Sequence, residues 1–116
     1  MHEVAIAEQL LEVIRDTAAA NGGGKVTGAH LILGELSGVD PETLSFAFEA
    51  ATRDDPVLAS CSLTIERVPL RVHCNGCGYE GSCDPFAGCP TCGASSFTVL
   101  EGRELRLSTI DLEEEA

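Results

Sequence analysis

Apolar residues recur at steps of three and four near the start of the chain, a spacing that places them on one face of an α-helix. Acids and Arg15 take the opposite face, and Asn21 with the glycines after it ends the pattern. We therefore predict a helix over residues 4–20. Its apolar stripe consists of Val4, Ala7, Leu10, Leu11, Ile14 and Ala18.

A second helix is predicted from Asp40-Pro41-Glu42 onward. The order is typical of a helix start, because a carboxylate can cap the first turn, proline fits the first helical position and an acid complements the helix dipole. We expect this helix to end near Arg53, before Asp54-Asp55-Pro56. Its inward stripe is predicted to be Leu44, Ala47, Phe48 and Ala51.

Runs of apolar and β-branched residues predict strands over residues 25–33, 62–72, 96–100 and 104–112. In the second run the alternation shifts at Glu66-Arg67, which we interpret as a β-bulge. His30 lies on the first strand, where a histidine is more often a hydrogen-bonded structural residue than a ligand.

Two Cys-x-x-Cys pairs, Cys74/Cys77 and Cys89/Cys92, stand eleven residues apart. This spacing is typical of two short knuckles that enclose one tetrahedral zinc with four thiolates. A glycine follows each pair, so the backbone can turn with positive φ and direct amide N–H groups toward the sulfurs. We predict a zinc ribbon over residues 71–100, inserted into a core formed by residues 1–70 and 101–116. The predicted fold class is α+β, with a small three-stranded sheet and two helices on one of its faces.

Other chemistries of the cysteines stay open. Six cysteines could form disulfides in a secreted protein, a single exposed pair could serve thiol redox chemistry, and iron also accepts four thiolates. Because the N-terminal residues do not resemble a signal peptide, we expect a reducing cytoplasm and reduced thiols. Cys61 is interpreted as a small apolar residue, and Cys83 as a spare or substitute ligand at most.

The formal net charge of the 116-residue chain is −12, and DLEEEA closes it. Such a charge repels phosphate backbones, so we expect no nucleic-acid partner although many zinc ribbons have one. The sequence has no apolar run long enough to span a membrane. A cation or a basic protein surface is a better match to this chain.

Met1-His2-Glu3 offers three nitrogens to one planar metal ion: the α-amine, the amide of His2 and the imidazole Nδ1 of His2. These donors close a five-membered and a six-membered chelate ring, an arrangement that suits Ni²⁺ or Cu²⁺. A histidine at this position is more often part of a frayed terminus. A helix that begins nearby would restrain it.

The chain combines several short motifs: Met1-His2-Glu3, Gly34-Glu35-Leu36-Ser37, Pro41, Phe46-Ala47-Phe48, both cysteine pairs, Gly102 and Glu104-Leu105. Together these motifs resemble the HypA/HybF nickel metallochaperones of hydrogenase maturation, over nearly the whole chain. The resemblance implies nickel cargo held by His2 with the nitrogens of Met1 and His2, and with Glu3 as a further candidate, beside structural zinc on the four paired cysteines. Asp40 lies where some relatives place a group near nickel. Implied partners are a nickel-handling GTPase and a nickel-iron hydrogenase large subunit, with urease supply in some relatives.

Three functional classes follow from these patterns. A metallochaperone is the favoured one; the alternatives are a zinc-ribbon interaction module, with protein or nucleic acid as partner, and a thiol redox protein. No set of potentially catalytic residues in the sequence has a spacing that is typical of an active site, so we expect no enzymatic activity. It leaves open whether the protein is a monomer or a homodimer, and which enzyme receives the metal.

Overall fold

A computed structural model describes residues 2–84 and 86–113 of the chain. Helices and strands alternate at first and strands follow after them, and the predicted α+β class is confirmed. The elements are α1 (His2–Ala20), β1 (Val26–Gly34), α2 (Pro41–Thr52), β2 (Ser62–Val68), β3 (Arg71–Cys74), β4 (Glu80–Gly81), β5 (Phe97–Glu101) and β6 (Leu105–Leu112).

The chain divides into two compact units. The first comprises residues 1–32, 39–66 and 106–116, and the second residues 33–38 and 67–105. The predicted division into a ribbon over residues 71–100 and a core of residues 1–70 and 101–116 stays a prediction. Neither α1 nor α2 combines the length and the apolarity that a membrane crossing requires.

The first unit packs α1 and α2 against each other, and its sheet has the strand order β2-β1-β6. The apolar stripe of α1 is buried as predicted except for Val4, which is half exposed. From β1, Val26, Ala29 and Leu31 are fully buried. These aliphatic side chains form the core of the first unit, in which each buried Leu, Ile or Val contributes about 1.5–3 kcal/mol.

The buried stripe of α2 differs from the predicted one, since Ala47 is only half-buried, Ala51 is exposed and Thr52 is buried. The Thr52 hydroxyl donates to the Phe48 carbonyl oxygen at 3.0 Å, which satisfies the buried polar group. Asp40 precedes the helix and Pro41 begins it, as expected, but the carboxylate of Asp40 makes no capping bond to the backbone. It accepts instead a short hydrogen bond from the Thr43 hydroxyl.

The predicted single strand over residues 62–72 is wrong. β2 ends at Val68, and β3 begins at Arg71 in a different sheet. Pro69 separates them, and a proline has no N–H for a sheet ladder. The N–H of Leu70 donates to the Glu35 carboxylate at 2.8 Å rather than to a neighbouring strand. The strand predicted to reach residue 72 therefore ends at Val68, whereas the break in alternation at Glu66-Arg67 lies inside β2, where the bulge stays a prediction.

The second unit contains a small sheet with the strand order β4-β3-β5. β3 is antiparallel to both neighbours, and it pairs His73 with Glu80 on one side and with Thr98 on the other. Between residues 67 and 105, the buried side chains in the described part are Leu70, Val72, Cys74 and Cys89. Two of these four are cysteines, so little aliphatic surface stabilises this part of the fold.

Candidate metal centre

The two Cys-x-x-Cys segments form backbone turns of the same construction. In the first, Cys74 N–H donates to Tyr79 O at 2.7 Å and Gly78 N–H donates to Cys74 O at 2.9 Å. In the second, Cys89 N–H donates to Ala94 O and Gly93 N–H to Cys89 O, both at 2.8 Å. The repeated pattern confirms the two predicted knuckles.

The glycine after each pair adopts the positive φ that the sequence predicts, +82° at Gly78 and +76° at Gly93. The amide groups nearest the first sulfur of each pair belong to the residue before the second cysteine. Gly76 N–H lies 3.4 Å from Cys74 Sγ, and Thr91 N–H lies 3.5 Å from Cys89 Sγ. Such N–H groups stabilise thiolate sulfur, which is the form that binds a metal.

The four paired cysteines converge as predicted, with all their sulfurs within 4.8 Å of one another. Across the knuckles, Cys74 Sγ lies 3.6 Å from Cys92 Sγ, and Cys77 Sγ lies 3.7 Å from Cys89 Sγ. Four sulfurs at about 2.3 Å from a central zinc ion would be about 3.8 Å apart. Two of the six sulfur–sulfur separations therefore match those of a tetrahedral four-thiolate site, and the other four are at most 4.8 Å.

The electrostatics of the four-cysteine cluster favour a bound cation. The Thr91 hydroxyl lowers the pKa of Cys89 to about 6. At Cys92 the Ala94 amide lowers the pKa, but the neighbouring thiols of Cys77 and Cys74 outweigh it and raise the pKa to about 12. Four negative sulfurs at this distance repel one another, so full ionisation requires a bound positive charge. A thiolate-preferring metal such as zinc fits these residues.

Sequence reasoning missed Thr91. Its hydroxyl oxygen lies 3.0 Å from Cys77 Sγ and 3.1 Å from Cys89 Sγ, so it contacts one sulfur of each knuckle. The position inside the second pair was the available signal, because a residue before the last cysteine of a knuckle always lies close to sulfur. The identity of the sulfurs it reaches depends on how the knuckles face each other.

At the other candidate site, Met1 lies outside the described residues, whereas His2 and Glu3 begin α1. His2 Nε2 is 3.2 Å from a Glu3 carboxylate oxygen. The Glu3 side chain is 14% exposed and accepts from the backbone N–H of Asp40 at 3.4 Å, while the His2 side chain is 65% exposed. Glu3 is thus held in place beside an accessible imidazole.

The remaining histidines and cysteines lie in other settings. His30 Nε2 is 2.8 Å from the Asp111 carboxylate, and His73 Nδ1 is 2.9 Å from the Glu80 carboxylate. Cys61 and Cys83 are half-buried free thiols. Among the described residues, the ligand-like groups that converge are the four paired cysteines, and neither of these two thiols is among them.

The chain is similar to the proteins of one family over nearly its whole length. The profile of a family described as "Hydrogenase/urease nickel incorporation, metallochaperone, hypA" matches residues 1–112. The hydrogenase maturation factor HypA of Geobacter metallireducens is 42% identical over 117 residues, which cover 97% of this chain and all of that protein. HypA of Solidesulfovibrio magneticus is also 42% identical, over 118 residues, with the same coverage.

Solved structures agree in fold. The solution structure of the Ni metallochaperone HypA from Helicobacter pylori superposes with a TM-score of 0.67 at 21% identity, and covers 97% of this chain and 98% of its own. A second solution structure of a HypA protein gives a TM-score of 0.71 at 22% identity, with coverage of 99% and 98%.

Proposed function

This chain belongs to the HypA family of nickel-incorporation metallochaperones, and on that premise we propose that it binds Ni²⁺ at its N-terminus and delivers it during hydrogenase maturation. The observation that carries the proposal is the family match over residues 1–112, which includes both candidate metal sites. The role is stoichiometric rather than catalytic, with nickel as cargo. Supply of nickel to urease is an extension of the same proposal.

The proposed nickel donors are Met1 and His2, with Glu3 beside them. When His2 Nε2–H donates to the Glu3 carboxylate 3.2 Å away, the lone pair resides on Nδ1, the nitrogen that closes a chelate ring with the His2 amide. Glu3 in turn is fixed by the Asp40 N–H. These contacts support a site in which Glu3 orients the imidazole, and they leave the carboxylate close enough to be a further ligand.

The second metal in the proposal is zinc, bound by Cys74, Cys77, Cys89 and Cys92. Its role is structural, since all four positions of a tetrahedron are filled by protein sulfur and none is open to a substrate. The sulfur separations of 3.6 and 3.7 Å support zinc at this site. The metal would fix the two knuckles where the aliphatic core is small.

The proposed partners are a nickel-handling GTPase and the large subunit of a nickel-iron hydrogenase, in the cytoplasm. A net charge of −12 favours basic protein surfaces and disfavours nucleic acid. An acidic carrier also attracts the divalent cation that it transports.

A nickel titration tests the proposal. In a chain that begins at Met1, His2→Ala should abolish nickel binding and leave the zinc content at one ion per chain, because the two sites share no ligand. One residue added before Met1 should also weaken binding, since it moves the amine out of the chelate. Isothermal titration and the absorption band of planar Ni²⁺ measure both effects.

His30→Ala is the matched control, because His30 is a second histidine in the first unit and contacts a carboxylate in the same way. It should bind nickel as the unmodified protein does. Unchanged affinity and an unchanged planar spectrum in the extended protein would contradict the N-terminal site, with His30 and His73 as the next candidates.

A further inference from the structure

The two knuckles are equivalent in backbone but not in side chains. Gly76 and Thr91 occupy the same position, two residues after the first cysteine of each pair, and each N–H faces the sulfur of that cysteine. A Cβ at Gly76 would lie 3.6 Å from Cys92 Sγ and 3.7 Å from Cys74 Sγ. The Thr91 side chain occupies the corresponding place between Cys77 and Cys89. One pair of facing sulfurs therefore has a hydroxyl between them, and the other has none.

Once a metal is bound, the Thr91 hydroxyl acts as the hydrogen-bond donor toward the sulfurs, and the sulfurs act as acceptors. Metal-bound cysteines are thiolates and have no proton to give, so the Thr91 O–H becomes the donor at both the 3.0 Å and the 3.1 Å contact. It has a single proton, which it shares between the sulfurs or exchanges from one to the other. Charge-assisted bonds of this kind are the stronger class of hydrogen bond.

The exposure of the cluster indicates where such a bond matters. Cys74 and Cys89 are buried, whereas Cys77 and Cys92 are exposed to solvent. Exposed thiolates are where a competing chelator or a proton begins to displace the metal. At Cys77 the hydroxyl of Thr91 occupies one side of the sulfur; at Cys92 the equivalent residue is glycine.

From this arrangement we propose that Thr91 is a positioning residue of the metal centre, whose hydroxyl bridges the Cys77 and Cys89 thiolates and slows their release of the metal. The inference rests on the proposed metal assignment, and it goes beyond it by assigning unequal roles to the two halves of the site. Cys92 is the sulfur that leaves the metal first, and Cys77 is the one retained.

The test compares Thr91→Val, Thr91→Ser and a matched control, Thr98→Val, in the full chain. Valine keeps the shape of threonine and removes the hydroxyl; serine restores the hydroxyl without the methyl group. Thr98 is also an exposed threonine of the second unit, but its hydroxyl donates to the Asn75 side-chain oxygen at 3.0 Å and not to sulfur. Zinc release to a chromogenic chelator gives the rate, and Co²⁺ in place of zinc reports on the sulfurs.

We expect Thr91→Val to release zinc about tenfold faster, the lower end of the effect of removing an outer partner of a metal ligand. The thiolate-to-cobalt charge-transfer band should move to longer wavelength, because a sulfur without its hydrogen bond gives up electron density more readily. Thr91→Ser should restore both values, and Thr98→Val should change neither.

Each contrary result has a distinct meaning. A native protein without a four-thiolate cobalt spectrum would overturn the metal assignment and this inference with it. A normal native spectrum, with a release rate and band unchanged in Thr91→Val, would overturn the role of Thr91 alone. Equal losses in the valine and serine variants would assign the effect to packing of the methyl group, and would also overturn it.

Discussion

Substituting Cys89→Ser should unfold the second unit and leave the first unit folded. Cys89 is 5% exposed and lies within 3.7 Å of Cys77 across the knuckles, so a serine there removes a ligand that solvent cannot replace. In small metal-dependent modules the metal contributes about 10–16 kcal/mol of apparent folding free energy. The buried aliphatic side chains among the described residues of the second unit are Leu33, Leu70 and Val72, and together they contribute about 4.5–9 kcal/mol. The metal is the larger of the two contributions.

The distribution of chromophores separates the units in one experiment. Both helices belong to the first unit, so far-ultraviolet circular dichroism at the helix band reports that unit. Tyr79 is the single tyrosine, the chain has no tryptophan, and this tyrosine lies in the second unit with its hydroxyl donating to Ser82 O at 2.9 Å. Its fluorescence and near-ultraviolet dichroism report the ribbon.

For Cys89→Ser we expect the Tyr79 signal of an unfolded chain together with a native helix band. Cys61→Ser is the control, because it removes a half-buried thiol outside the four-sulfur cluster and should change neither signal. A native Tyr79 signal in metal-free Cys89→Ser would refute the structural role of the metal. Simultaneous loss of the helix band would refute the separate folding of the units.

Two substitutions in the rest of the chain test other parts of the structure. Asp55 accepts hydrogen bonds from the Val57 and Leu58 N–H groups and pairs with Arg15. Asp55→Ala should therefore lower the free energy of unfolding by about 2–3 kcal/mol at pH 7, as measured by urea denaturation followed at the helix band. The control Asp54→Ala should lower it by much less. The hydrogen bond from Arg15 is the main reason why the pKa of Asp55 lies below 3.8 in the folded protein. The stability that the Asp55 carboxylate contributes is therefore complete above about pH 4, and it is lost as the pH falls through the folded pKa. Gly34→Ala should lower the free energy of unfolding by about 1–3 kcal/mol, because the new Cβ would collide with the carbonyl oxygen of Gly102; an unchanged melting temperature would contradict this.

The sequence predicts the parts of this fold that local patterns determine. A helix buries whatever recurs every three or four residues, so the stripe from Ala7 to Ala18 could be identified without tertiary information. The knuckles are equally local, because a Cys-x-x-Cys turn and its following glycine lie within six residues. Val4 shows what periodicity does not predict. Its spacing assigns it to the apolar stripe, but nothing in the pattern tells how far the neighbouring elements extend over the first turn of the helix.

What could not be predicted depends on partners distant along the chain. The apolar positions on either side of Pro69 fit one interrupted strand as well as two strands in different sheets, and the choice is made by which neighbours pair with them. Thr91 is similar, since its contact with Cys77 spans the interval between the knuckles. Asp40 has the residue type of a helix cap, yet its carboxylate binds a side-chain hydroxyl because Thr43 is close enough to compete.

The two proposed metal sites differ in exposure and in the number of bonds around their ligands. The difference suits a zinc ion that is retained in the cysteine cluster and a nickel ion that is delivered from the N-terminus. In the cluster, Cys74 and Cys89 are buried, amide groups face their sulfurs, and a hydroxyl bridges two of the four ligands, so these ligands would still hold the ion after Cys92 had left it. At the N-terminus the His2 side chain is 65% exposed. An ion held by exposed nitrogens can pass to a partner protein without disturbing the fold, whereas zinc could leave the thiolate cluster completely only if the knuckles that bury Cys74 and Cys89 also opened.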